Sequence, residues 1–120
     1  MNLIARLLGC AALVACAAPT LAAQASGAEG TGQALYREHC KECHGAAGRP
    51  TKQALGKYKE IKTFDAAFLA GRSKDSLVAV LAHGAKNGKE MKSFKEKLTP
   101  EEMVAVAQYV QTRFGTASNP

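Results

Sequence analysis

Apolar and polar positions along this chain fall into three patterns. The first is continuous: residues 7–18 contain no charged side chain and no polar face beside the apolar one. That run is too short to cross a bilayer as a helix and lacks the amphipathic stripe of a surface helix. The second pattern is helical. Leu77, Val80 and Leu81 recur at helix spacing behind Ser73, a hydroxyl cap, with Asp75 in the first turn and Gly84 as the stop. Met103, Val106, Ala107, Val110 and Phe114 form a longer stripe, all expected in the core. It opens on Thr99-Pro100-Glu101-Glu102, a capping box with Pro at the first helical position.

Two weaker helices are expected: residues 32–41, and residues 64–70 with Thr63 as cap and Gly71 as end. The third pattern has no period. Residues 45–62 and 85–97 are rich in Gly and Lys and read as loops, the first with one short turn. Residues 26–31 read as a flexible lead-in and 115–120 as a frayed tail. No segment alternates as a strand does, so the domain is expected to be all-α with long loops.

The continuous run has a second meaning. Arg6 is the only charge before Glu29, Pro19 breaks the run, and Ala23-Gln24-Ala25 offers small residues for a signal peptidase. Residues 1–25 are therefore expected to be a secretory signal cut after Ala25, followed by the lead-in, a domain over 32–114 and the tail. Leu13-Val14-Ala15-Cys16 also fits a lipobox, which would leave the protein lipid-anchored through Cys16. Both routes export the chain, to the periplasm, with no transmembrane helix after processing.

Composition then narrows the fold. A chain of 120 residues with 47% apolar and 22% charged residues holds one compact domain and is not disordered. Aromatics are only 6% and Trp is absent, so apolar volume must come from elsewhere. Of four Cys, Cys10 and Cys16 fall in the leader, which leaves Cys40 and Cys43 and no disulfide framework.

Those two belong to Cys40-Lys41-Glu42-Cys43-His44, the C-x-x-C-H signature of covalent haem attachment. Thiols three apart on one helical turn can reach adjacent edges of a porphyrin, and the next residue places an imidazole at the iron. A zinc site would need two further ligands, and neither His39 nor His83 completes a second pair. A thiol–disulfide site would sit in a βαβ context that this chain lacks. Haem c, one per chain with its iron, would also supply the missing core.

Over residues 32–114 the chain resembles a small bacterial class I cytochrome c. The likeness rests on Gly32-x-x-x-Tyr36, Cys40 to Gly45, Gly88-Lys89-Glu90-Met91-Lys92-Ser93-Phe94, and Leu98 to Glu102 leading into Tyr109-Val110. It implies three or four helices around one covalently bound haem, with the terminal helices crossing at Gly32 and Tyr109 beside the crossing. It also implies thioethers at Cys40 and Cys43, His44 as proximal iron ligand and Met91 as distal ligand. Met91 sits in a loop with no apolar face to join, whereas its rival Met103 belongs to the core stripe. Lys92 stands where the family usually has Pro, which predicts a more mobile ligand loop. The resemblance assigns Pro50 the carbonyl that orients the His44 imidazole. His83, in a last helical turn, suits the dipole and is an alternative sixth ligand; His39 is expected at the surface.

Net charge is +6. Lys86, Lys89, Lys92, Lys95 and Lys97 crowd the ligand loop, and Lys41, Lys52, Lys57, Lys59 and Lys62 flank the attachment side. A Lys-rich face of this kind suits acidic redox partner proteins, and nucleic acid is not expected for an exported chain. The expectation is a monomeric periplasmic electron carrier that is not itself an enzyme. Alternatives are a haem-bearing subunit of an oxidoreductase complex and a ligand-binding or peroxidase-like haem protein with an open sixth site.

Overall fold

The computed structural model describes residues 21–86 and 88–116. The helices are α1 (Leu21–His39), α2 (Lys41–His44), α3 (Lys52–Lys57), α4 (Ala66–Ala70), α5 (Lys74–His83) and α6 (Pro100–Phe114). Among the described residues the only β pairing is an isolated bridge between Ala85 and Met91. The leader run, Cys16 and the end of the tail lie outside the described residues.

α6 forms where its cap is written. The Thr99 hydroxyl accepts from the Glu102 N–H at 3.2 Å, and the Glu102 carboxylate accepts from the Thr99 N–H at 2.8 Å. The expected stripe of Met103, Val106, Ala107, Val110 and Phe114 is buried, joined by Ala105 and Tyr109. α5 likewise starts on Ser73, whose hydroxyl accepts from the Ser76 N–H.

Other elements depart from expectation. α4 is capped by Asp65, not Thr63: the Asp65 carboxylate accepts from the Phe68 N–H at 2.7 Å. Phe64 lies outside that helix, its N–H donating to the Gly48 carbonyl at 2.8 Å. α3 occupies part of the expected loop, with Thr51 as its cap and Ala54 as its one buried residue. Residues 26–31 lie within α1, where a flexible lead-in was expected. Gly27 and Gly30 lower the helix propensity there, and the Thr31 hydroxyl bonds the Gly27 carbonyl one turn back. A cut after Ala25 would fall inside α1.

The largest helix contact is α1 crossing α6. Gly32 is the reason they can approach. A Cβ there would collide with the Ala105 carbonyl oxygen and lie 2.9 Å from the Tyr109 Cβ. Beneath the crossing, Tyr36 packs with its ring centre 5.4 Å from both Tyr109 and Phe114. α5 packs on α6 through Leu81, which is buried, while Val80 is 39% exposed. Val80 is therefore not part of the core stripe; it faces a cavity.

Candidate functional site: one turn of helix facing an apolar cavity

The chemistry-bearing residues follow directly from the end of α1. The Cys40 N–H donates to the Tyr36 carbonyl at 2.9 Å, and the Cys40 carbonyl accepts from the N–H groups of Cys43 at 3.2 Å and His44 at 2.9 Å. Both thiols and the imidazole thus leave one turn. Gly45 ends that turn, and the buried Tyr36 hydroxyl donates to its carbonyl at 2.8 Å. Thr51 closes the far side, its N–H bonding the Cys43 carbonyl at 3.1 Å and its hydroxyl the Glu42 carbonyl at 3.0 Å.

Burial decides the protonation of this turn. Both thiols are free, Cys40 buried and Cys43 half-buried. Burial, with Cys43 adding to it, pushes the Cys40 thiol up to about 11. The same loss of solvent lowers His44 to about 4, so its imidazole is neutral, the form that binds metal. The ring stacks on Phe64 with centres 4.4 Å apart and planes 15° from parallel. His44 Nδ1 is buried without a hydrogen-bond partner. The Pro50 carbonyl therefore does not orient it, because Thr51 holds this segment on α2 by its own N–H and hydroxyl.

The turn faces a cavity of about 760 Å³ whose lining is mostly apolar, with Phe64, Phe68, Leu77, Val80, Leu81 and Val110 among its walls. This lies within the ~300–1,000 Å³ usual for bound cofactors. Cys40, Cys43 and His44 line it, and so does Met91. Met103 does not; it is 4% exposed inside the α6 core. His83 does not line it either and is exposed at the end of α5. His39, expected at the surface, is half-buried and lines the cavity, edge-on to Phe94 at 6.3 Å, because the end of α1 packs beside the loop of 85–97.

Met91 is held by the last turn of α5. The Ala85 N–H donates to the Met91 carbonyl at 2.9 Å, the Phe94 N–H to the Leu81 carbonyl at 2.8 Å, and the Ser93 hydroxyl to the Ala82 carbonyl at 2.6 Å. Gly84, at φ 78°, makes room: a Cβ there would strike the Met91 carbonyl oxygen. Lys92 therefore does not leave the loop unsupported. Sequence reasoning missed Glu60 at the cavity rim, where it pairs with Lys86, because no local pattern links residues so far apart.

A neutral imidazole and two thiols on one turn, all lining an apolar cavity, fit an iron porphyrin. A fold and a site of this kind define a c-type cytochrome. The chain belongs to the family described as cytochrome c oxidase, cbb3-type, subunit III, which matches residues 27–110. The solved structure of the KustC0563 c-type cytochrome is similar, at 37% identity and a TM-score of 0.61, over 69% of this chain and 96% of that one. A tyrosine-to-phenylalanine variant of the same protein gives 36%, 0.59, 68% and 95%. No protein with a curated description matches the chain. The fold is that of cytochrome c, the cofactor is covalently bound haem c with its iron, and the function is electron transfer. Among the described residues no helix is long and apolar enough to cross a membrane.

Proposed function

We propose that this protein is a periplasmic carrier of single electrons, with thioethers at Cys40 and Cys43 and axial ligands His44 and Met91. One observation carries the reading: His44 and Met91 line the same cavity as the two thiols, whereas Met103 and His83 do not. Haem c supplies the one-electron chemistry at iron when bound. The chain's own part is to hold it and to set its potential. An imidazole paired with a thioether would favour the ferrous form more than two imidazoles do. With His44 and Met91 both holding the iron, the chain would keep outside ligands from it and act as a carrier, not an enzyme.

Charge at the cavity rim supports an acidic redox partner. Lys62, Lys86 and Lys92 line the cavity beside Glu60 and Glu90, and the other loop lysines are exposed. Such a rim speeds encounter with an acidic surface, an effect that salt screens. A second reading, a fixed subunit of an oxidase, follows from the printed description of the family. Among the described residues the exposed large apolar side chains, Leu55, Val80 and Val104, sit one each on α3, α5 and α6, which supports the monomeric carrier instead.

The test is the ferric visible spectrum of holoprotein matured in a bacterial periplasm, wild type against Met91→Ala. A weak red methionine–iron band in wild type that Met91→Ala abolishes is the expected result. A wild type without the band, whose reduced form binds carbon monoxide readily, would overturn it in favour of a ligand-binding haem protein. Intact mass then separates a chain starting at Ser26 from one acylated at Cys16.

A further inference from the structure

We propose that Lys86 is a positioning residue for Met91, strapping the Met91 loop across the cavity mouth to the segment after α3. The inference rests on the reading of Met91 as distal ligand. Lys86 pairs with Glu60 and, at 3.1 Å, with Glu90. Glu90 directly precedes Met91. Glu60 lies between Tyr58 and Ile61, and these two, both glutamates and Lys86 all line the cavity. α3 itself packs on α2, the attachment turn. The strap therefore joins the side that carries His44 to the loop that carries Met91. Among the described residues, Lys86–Glu60 is the side-chain hydrogen bond between segment 58–62 and the loop of 85–97.

The backbone supplies an independent argument. Lys86 is the non-glycine residue at positive φ among the described residues, at 49°. A Cβ disfavours that conformation, and Gly is the usual occupant. Its turn brings Ala85 back to bridge Met91. A lysine placed there uses its side chain, and that side chain is taken up by the two carboxylates. The arrangement substitutes for stiffness that Pro would give at position 92. Lys86 is half-exposed, so the strap is a modest, salt-sensitive restraint.

The experiment follows displacement of the methionine–iron band by added imidazole in ferric holoprotein. Lys86→Gln is expected to speed displacement roughly three- to fivefold at low salt, the scale of one partly exposed ion-pair network. Lys86→Arg should stay near wild type. Lys86→Gly, which relieves the backbone but deletes the side chain, should behave like Lys86→Gln. At an ionic strength of about 1 M, where screening reaches ~3 Å, the differences should vanish. Wild-type rates in both Lys86→Gln and Lys86→Gly, with the band still lost in Met91→Ala, would overturn the strap and leave Met91 as ligand. A spectrum that Met91→Ala leaves unchanged would overturn both.

Discussion

The two sides of the cavity are built in different ways. The His44 side is assembled from one stretch of chain: Tyr36, Cys40, Cys43, His44, Gly45 and Thr51 hold each other through bonds spanning no more than nine residues. The Met91 side is assembled from the end of α5, a loop and Glu60, which lies 26 residues before its partner Lys86. A local turn keeps its geometry while the rest of the domain breathes, whereas a loop held by a few exposed ties opens at lower cost. In a c-type cytochrome this separates two tasks. On the proposed ligation the cofactor would be retained by the rigid side, and its ligand field adjusted on the soft side.

Deleting the anchors on each side should give the largest and most dissimilar effects. Cys40→Ser with Cys43→Ser should abolish covalent haem, seen as complete extraction of pigment by acidified acetone. Met91→Ala should keep covalent haem and lower the midpoint potential, a change drawn from the roughly 0.8 V that axial ligation spans. Pigment loss in Met91→Ala would break the division between the two sides.

Glycine substitutions sharpen the same contrast. Gly32→Ala must force α1 off α6, since its Cβ meets backbone at Ala105 that cannot swing aside. A loss of about 2–3 kcal/mol by denaturant titration is expected, as for overpacking in a core. Gly84→Ala meets the Met91 carbonyl and adds a backbone conformation that only Gly adopts readily, the strain alone costing about 1–3 kcal/mol. Its loss should be accompanied by weakening of the methionine–iron band, which Gly32→Ala should spare while the domain stays folded.

The rigid side was legible in the sequence because its causes are local. Cys40 to His44 and the capping box at Thr99 each act within a single turn, and the α6 stripe repeats over several. The gaps have physical reasons too. α3 buries only Ala54, so it has no apolar period to read. Thr63 and Asp65 can both cap a helix, and Asp65 does so, while Phe64 before it bonds Gly48 and stacks on His44. Val80 looks like a core residue by spacing, yet the wall it belongs to is that of the cavity. The bond between Lys86 and Glu60 leaves no trace in any local pattern. Met91 was reached only through family resemblance and its lack of an apolar helix face, and the ties that hold it are tertiary.

A matched pair of hydroxyls makes the most sensitive test. Thr51 and Ser93 each donate to the carbonyl of a residue near a helix end, Glu42 on the attachment side at 3.0 Å and Ala82 on the ligand side at 2.6 Å. Each hydroxyl also accepts from a backbone N–H, that of Ala54 for Thr51 and that of Lys95 for Ser93. Removing either should cost about 1 kcal/mol, the usual scale for a cap or a single hydrogen bond. Equal stability losses with unequal consequences are expected. Thr51→Ala should leave imidazole displacement at the wild-type rate, because the turn it supports is also held by Tyr36 and, once haem is attached, by two covalent bonds. Ser93→Ala should speed displacement about twofold to fivefold, because opening the loop is the step that exposes the iron and the lost bond lies on that step. Equal displacement rates in the two variants would mean that the domain opens as one unit and that the soft side is no softer than the rigid one.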